Sequence, residues 1–160
     1  MKKFGNIEIL SSLCNPSTVK DGRGGIFTWL PHCSIKEFNI LYFHPNKVRG
    51  NHYHPEFSEY FLVVAGSGVM MTKDPKGGPD LIMQMSEGAC VMVPPNVSHA
   101  FQAITETKCM SLISKPWDEC DPPIIFEDII PMECDQPPQA SPKNKAAKKG
   151  SAKKKHKARK

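Results

Sequence analysis

The stretch RGNHYHPEFSEYFLVVAG, residues 49–66, carries most of the information on the fold of this 160-residue chain. His52 and His54 are two residues apart, so on an extended strand both imidazoles point to the same face. Glu59 follows five residues later, after a turn and at the start of the apolar run 60–65. The stretch therefore predicts two strands that together present two imidazoles and a carboxylate.

A second segment, GACVMVPPNVSH at 88–99, places another histidine, His99, at the start of a further strand. Three imidazoles and one carboxylate suit zinc, iron, manganese or nickel, and they leave coordination positions open for water or substrate. We expect His52, His54, Glu59 and His99 to hold one divalent transition metal.

Outward from these motifs, the chain consists of short apolar runs separated by turn residues, and no stretch sustains helical periodicity. This pattern is typical of an all-β sandwich or small barrel. The runs predict strands at 7–10, 25–30, 35–43, 59–64, 69–72, 81–85, 90–93, 99–104 and 109–113.

The character of the chain changes after Ser114. Residues 116–142 contain seven prolines, which exclude a central strand or a long helix, yet they also contain large apolar side chains. We expect a β-barrel domain at 1–115, a Pro-rich segment at 116–136 that packs on it as irregular structure or one edge strand, and a disordered Lys-rich tail at 137–160.

The net charge of +5 averages two unlike regions. Residues 143–160 hold ten Lys or Arg and no acidic residue, which leaves 11 basic and 16 acidic residues and a charge of −5 in 1–142. A tail of this kind binds polyanions non-specifically through counterion release, or serves as a solubilising appendage. The charge therefore gives no reason to expect nucleic-acid binding by the folded body.

Several classes of protein are excluded. No apolar run approaches the roughly 20 residues of a membrane-spanning helix, and the N-terminus lacks the apolar core of a signal peptide. The six cysteines are widely spaced and form no CxxC pair, so we expect reduced thiols in a cytoplasmic protein.

The two histidine segments resemble the two motifs of the cupin family, whose fold is a jelly-roll barrel. HxH, four residues, Glu, six residues and Gly match the first motif, and Gly, five residues, Pro-x-Asn-x-x-His match the second. The sequence departs from the usual pattern where Asn46 and Asn96 replace glycines and where the closing asparagine of the second motif is missing. None of these departures removes a ligand.

A narrower resemblance suggests a function. RGNHYH with E-x-F-L-V-V-x-G is similar to the C-terminal cupin domain of bifunctional capsular-polysaccharide reductase/epimerases. The resemblance implies zinc-assisted epimerisation beside the ketone of a nucleotide-linked 4-keto sugar, and a homodimer formed through the barrel face opposite the site. The sugar-nucleotide 3,4-ketoisomerases are a wider relative, but they generally lack the glutamate that Glu59 provides.

The general base of such a reaction has three candidates, Tyr42, Tyr60 and Lys47, among which the sequence does not choose. Arg49 is a candidate diphosphate contact, because a guanidinium pairs bidentately with phosphate, and its alternative is a surface salt bridge. Two other functions stay open: an iron-dependent cupin dioxygenase, and a non-catalytic cupin that binds a small ligand.

Overall fold

The computed structural model describes residues 2–11 and 19–131. Within these ranges the chain forms thirteen strands and one 3-10 turn, at Trp117–Glu119, with no α-helix. The strands are β1 (Lys2–Phe4), β2 (Ile7–Ser11), β3 (Val19–Asp21), β4 (Gly24–Ile26), β5 (Glu37–Phe43), β6 (Val48–Tyr53), β7 (Glu59–Ala65), β8 (Ser67–Thr72), β9 (Leu81–Ser86), β10 (Ala89–Val93), β11 (His99–Ala103), β12 (Thr107–Ile113) and β13 (Ile125–Phe126).

Two antiparallel sheets form the body. One has six strands in the order β1-β2-β10-β7-β12-β5, and the other has five in the order β13-β6-β11-β8-β9. Sequence neighbours such as β6 and β7 lie in different sheets, so the chain passes repeatedly from one sheet to the other. This arrangement confirms the predicted all-β jelly roll.

The core lies between the sheets. Along β7, Phe61 and Val63 point inward and alternate with Tyr60 and Leu62, which belong to a separate cluster on the outer face. Phe101 of β11 packs on Phe61 with ring centroids 5.0 Å apart, which joins the two sheets. The alternation of side chains along each strand therefore gives one dry interior and one outer face per sheet.

The strand boundaries differ from the predicted ones in three places. The strand predicted at 25–30 ends at Ile26, because β4 pairs only with the short β3 across the Gly22-Arg23 turn. The strand predicted at 35–43 starts at Glu37. Strand β6 (Val48–Tyr53), which carries His52, is absent from the strands predicted from apolar runs, because its sequence VRGNHY is mostly polar.

The Pro-rich segment packs on the five-stranded sheet. Its two-residue strand β13 pairs with the end of β6 and forms one edge of that sheet. Ile130 is buried near the end of the described chain. The predicted Lys-rich tail at 137–160 lies outside the described residues.

The described residues also bear on the expectations about membrane spans and cysteines. Among the described residues, no helix has the length and apolar character needed to cross a membrane. Cys33, Cys90, Cys109 and Cys120 are free thiols.

Candidate metal centre

The ends of three strands bring the four predicted ligands together. His52 lies at the end of β6, with His54 just beyond it, and His99 opens β11 directly opposite His52. Glu59 opens β7 in the other sheet. The centre is thus built across the two sheets, which explains why residues 47 positions apart in the chain meet.

The three imidazoles form a compact group. One ring nitrogen from each of His52, His54 and His99 lies within 4.8 Å of the others. Glu59 extends the group, because its Oε2 lies 3.2 Å from His54 Nε2 and 3.0 Å from His99 Nε2. Glu59, His54 and His99 are buried, whereas His52 is partly exposed.

Backbone carbonyls fix the orientation of two of the rings. His54 Nδ1 donates to the carbonyl of Pro123 at 3.2 Å, and His99 Nδ1 donates to that of Val97 at 3.1 Å. A carbonyl only accepts, so in both rings the proton sits on Nδ1 and Nε2 faces the centre. Metal-binding histidines commonly have this arrangement, in which one ring nitrogen donates a hydrogen bond to the protein and the other is free to bind the metal.

Ser111 of β12 completes the surroundings of Glu59 by donating a short hydrogen bond to its Oε1. Neither Ser111 nor Pro123 was identified from the sequence. The signal for Ser111 is a polar residue at an inward-facing position of an apolar strand, in phase with Cys109 and Ile113. Pro123 contributes only its main-chain oxygen, a group that every residue has, so the sequence contains no signal for this contact.

Burial and charge shift the pKa values of these groups in different directions. Burial and the neighbouring imidazoles lower the pKa of His52 to about 3. Burial also opposes charge on His99 and Glu59, but their mutual attraction and hydrogen bonding outweigh it. The pKa of His99 is therefore raised and that of Glu59 is held well below its usual range.

The four side chains fit a transition metal. The donor set contains three imidazole nitrogens and one carboxylate, the orientation of two rings is fixed from outside, and the carboxylate is ionised. These donors suit zinc, iron, manganese or nickel.

The centre lies in a cavity of about 880 Å³ between the sheets. The cavity has a mainly apolar lining, with Phe57, Phe61 and Phe101 near the imidazoles and exposed Trp117 and Phe126 at its rim. Its volume falls in the range of small-molecule binding sites. Lys47 and Arg49 also line it, and the Arg49 guanidinium lies 5.8 Å from the Phe43 ring centroid.

The structure removes two of the three candidate bases from the cavity interior. Tyr60 points to the outer face of β7, where its hydroxyl accepts hydrogen bonds from the main-chain N–H groups of His32 and Cys33. Tyr42 lies at the rim, but its ring is turned outward beside Lys108 Nζ, 5.8 Å away. Side chains alternate along a strand, and the side chains of Tyr42 and Tyr60 have the outward phase.

A family profile described as Cupin matches residues 27–115, more than half of the chain. The chain belongs to the cupin family. No curated protein sequence matches this cupin.

Solved structures with the same fold include three enzymes of sugar-nucleotide chemistry. A 3,4-ketoisomerase from Helicobacter canadensis is 18% identical over 76% of this cupin and 91% of its own chain, with a TM-score of 0.64. A TDP-quinovose 3,4-ketoisomerase from Campylobacter jejuni is 18% identical over 78% and 95%, with a TM-score of 0.65. A 3,4-ketoisomerase from Thermoanaerobacterium thermosaccharolyticum, in complex with TDP, is 17% identical over 75% and 87%, with a TM-score of 0.62.

The departures from the cupin motifs have a conformational explanation. Asn46 and Asn96, which replace the usual glycines, have φ of 65° and 62°. Asparagine adopts this left-handed conformation more readily than other residues with a side chain. Asn96 N also donates to the carbonyl of His54 at 2.8 Å, so the second motif's turn contacts the first motif directly.

Proposed function

We propose that this cupin is a metal-dependent enzyme that epimerises or isomerises a nucleotide-linked 4-keto sugar. The observation that carries the proposal is the convergence of three imidazoles and a carboxylate at the base of an 880 Å³ cavity. The activities of the proteins that share the fold support the choice of substrate class.

His52, His54, His99 and Glu59 would hold the metal. When bound, it supplies Lewis acidity next to a substrate carbonyl, which favours loss of a proton from the neighbouring carbon. Ser111 keeps Glu59 oriented, and the Pro123 and Val97 carbonyls keep the Nδ1 protons in place. The buried aromatic residues around the centre restrict the access of water to the reacting carbon.

Arg49 and Lys47 give the cavity mouth a positive charge suited to a diphosphate. Both are exposed side chains on the lining, and Arg49 also contacts the Phe43 ring. Of the three candidate bases, Lys47 and Tyr42 line the cavity, with the ring of Tyr42 turned outward. A base must come within about 3 Å of the proton it removes, so Lys47 can act only on a substrate bound near the mouth.

Elemental analysis and hydrogen exchange test the proposal together. Purified protein should contain about one zinc per chain, and 4-keto UDP- or TDP-sugars in deuterated water should exchange the proton at C3 in a metal-dependent manner. The control is the same protein stripped of metal and reloaded. Absence of exchange with every such sugar in metal-replete protein contradicts the enzyme proposal.

A non-catalytic ligand-binding cupin is the second candidate. It is favoured by the position of Tyr60, whose hydroxyl is hydrogen-bonded on the outer face of β7, and by that of Tyr42, whose ring is turned outward beside Lys108. This candidate predicts saturable binding of TDP or UDP without any isotope exchange in a bound sugar. Calorimetric titration beside the exchange experiment separates the two functions.

An iron-dependent dioxygenase remains the third alternative, because the same donors also suit iron. It predicts iron in the purified protein and oxygen uptake with a reducing substrate. Bound zinc without oxygen uptake contradicts it.

A further inference from the structure

Residues 115–131, here called the strap, cross the outer edge of the five-stranded sheet beside the metal centre. Strand β13 of the strap pairs with β6, with Phe126 opposite His52. The ring of Phe126 lies 6.4 Å from the His52 ring, and Pro123 holds His54 Nδ1. The strap therefore touches both histidines of the HxH pair.

Asn51 fastens the strap to β6. Its side chain is 1% exposed, its Nδ2 donates to the Ile130 carbonyl at 2.8 Å, and its Oδ1 accepts from the N–H groups of Ile129 and Ile130 at 3.2 and 3.0 Å. Its own carbonyl accepts from Glu127 N at 2.8 Å. All of these bonds go to one segment about 80 residues later in the chain.

The backbone conformation of Asn51 indicates how strongly its hydrogen bonds to the strap constrain this residue. Its φ is 55°, a left-handed value in the middle of a strand next to a candidate ligand. Such a conformation disfavours most side chains, and it persists only where surrounding interactions stabilise it. The three side-chain hydrogen bonds to the strap provide that stabilisation.

A second attachment lies on the other side of the centre. Glu127 Oε2 accepts a short hydrogen bond from Ser98, the residue before His99, and Glu127 Oε1 lies 3.4 Å from Lys73 Nζ. Lys73 Nζ also donates to the Asp128 carbonyl at 2.7 Å. The strap is thus attached next to His52 through Asn51 and next to His99 through Ser98.

We propose that Asn51 is a positioning residue for the metal centre: it holds the strap in place, and the strap in turn fixes the orientation of His54 through Pro123. The inference rests on the proposed metal-binding function. It assigns a role to a buried amide that touches neither the metal position nor the substrate cavity. Loss of outer contacts to metal-binding histidines typically weakens metal affinity about 10- to 100-fold.

Asn51→Gly tests the proposal, because glycine accepts the left-handed conformation and loses only the side-chain attachment. In the full-length chain, Zn²⁺ affinity measured against a competing chelator should fall about 10- to 100-fold. The ¹⁵N signals of the metal-free protein should show that His54 no longer carries its proton predominantly on Nδ1.

Two matched controls separate positioning from general destabilisation. Asn46→Gly makes the same substitution at another left-handed asparagine, which is exposed and has no contact with the strap, and it should leave Zn²⁺ affinity unchanged. Val91→Ala destabilises the core on β10, a strand without candidate ligands, and it should lower the melting temperature without changing the ¹⁵N signals of His54.

Wild-type Zn²⁺ affinity together with an unchanged His54 spectrum in Asn51→Gly overturns the proposal. A wild-type protein that binds no divalent metal contradicts the proposed function instead. In that case the His54 spectrum of the metal-free variant still decides whether Asn51 orients the ring.

Discussion

Glu59 carries the negative charge of the centre. A buried carboxylate is costly unless it is paired, and Glu59 is paired with two imidazoles and a serine hydroxyl. Because Nδ1 of His99 donates to a carbonyl, the contact between its Nε2 and Glu59 needs a second proton when no metal is bound. A proton and a metal ion therefore compete for the same nitrogen.

Replacement Glu59→Gln tests the role of the carboxylate charge. The amide nearly preserves the shape of the side chain but removes the negative charge, so metal affinity should fall at least about tenfold. The pKa of His99 should fall as well, because Glu59 is the group that raises it. Chelator competition and an NMR titration of the imidazoles measure the two effects. Unchanged metal affinity would exclude Glu59 as a ligand.

The pH dependence of metal binding follows from the same competition. His99 has a raised pKa and must lose its Nε2 proton to bind a metal, so affinity should increase with pH until that group is fully deprotonated. His52, with its pKa at about 3, is already neutral and should contribute nothing near neutral pH. Chelator competition between about pH 6 and 8 measures the slope. In Glu59→Gln the increase of metal affinity with pH should occur at lower pH. A wild-type affinity that does not change with pH contradicts the assignment of this dependence to His99.

At the scale of strands, the sequence predicted most of the architecture and all four proposed ligands. These predictions rest on fixed residue spacings. The alternation of side chains along β7 and β12 determines which residues face the interior, and the HxH spacing places two imidazoles on one side of a strand. The features that the sequence did not predict depend on which strands pair with each other in the folded chain. The sequence does not show that Tyr60 lies on the outer face of β7, and the Pro123 carbonyl contacts His54 because the strap pairs with β6.

Gly50 illustrates how closely β6 and β11 approach each other at the centre. It has a φ of 102°, and an added Cβ would lie 2.7 Å from the His99 carbonyl oxygen and 2.9 Å from Ala100 Cα. The register of the two strands shifts at this same place, between His99 and Ala100. A side chain here would push His99 away from His52.

We therefore expect Gly50→Ala to reduce both stability and metal affinity. Gly77→Ala is the matched control, because Gly77 also has a positive φ, 76°, but an added Cβ meets nothing within 4 Å. Conformational strain of about 1–2 kcal/mol is common to both variants. Gly50→Ala should cost about 1–2 kcal/mol more in denaturant unfolding, because main-chain atoms must move. Equal losses in the two variants contradict the close approach.

At the scale of the molecule, charge and hydrophobicity are unevenly distributed. The basic tail lies outside the described residues, so its salt-dependent binding to polyanions stays a prediction. The cavity opens between the sheets, while the outer face of the six-stranded sheet carries a row of apolar side chains. Phe38, Ile40 and Tyr42 of β5 are 64%, 57% and 63% exposed on that face, and Val64 of β7 is exposed beside them.

This apolar face supports the expected homodimer. Exposed apolar patches of this kind mark interaction sites, and a second copy that covers this face would bury its apolar area. Ile40→Glu should convert a dimer into a monomer in sedimentation experiments at micromolar concentration, because it places a charge at the centre of the face. Ile82→Glu is the control: Ile82 is 65% exposed, on β9 of the other sheet, and its variant should remain dimeric. A monomeric wild type, or equal dissociation of both variants, would show that the two copies do not meet through this sheet.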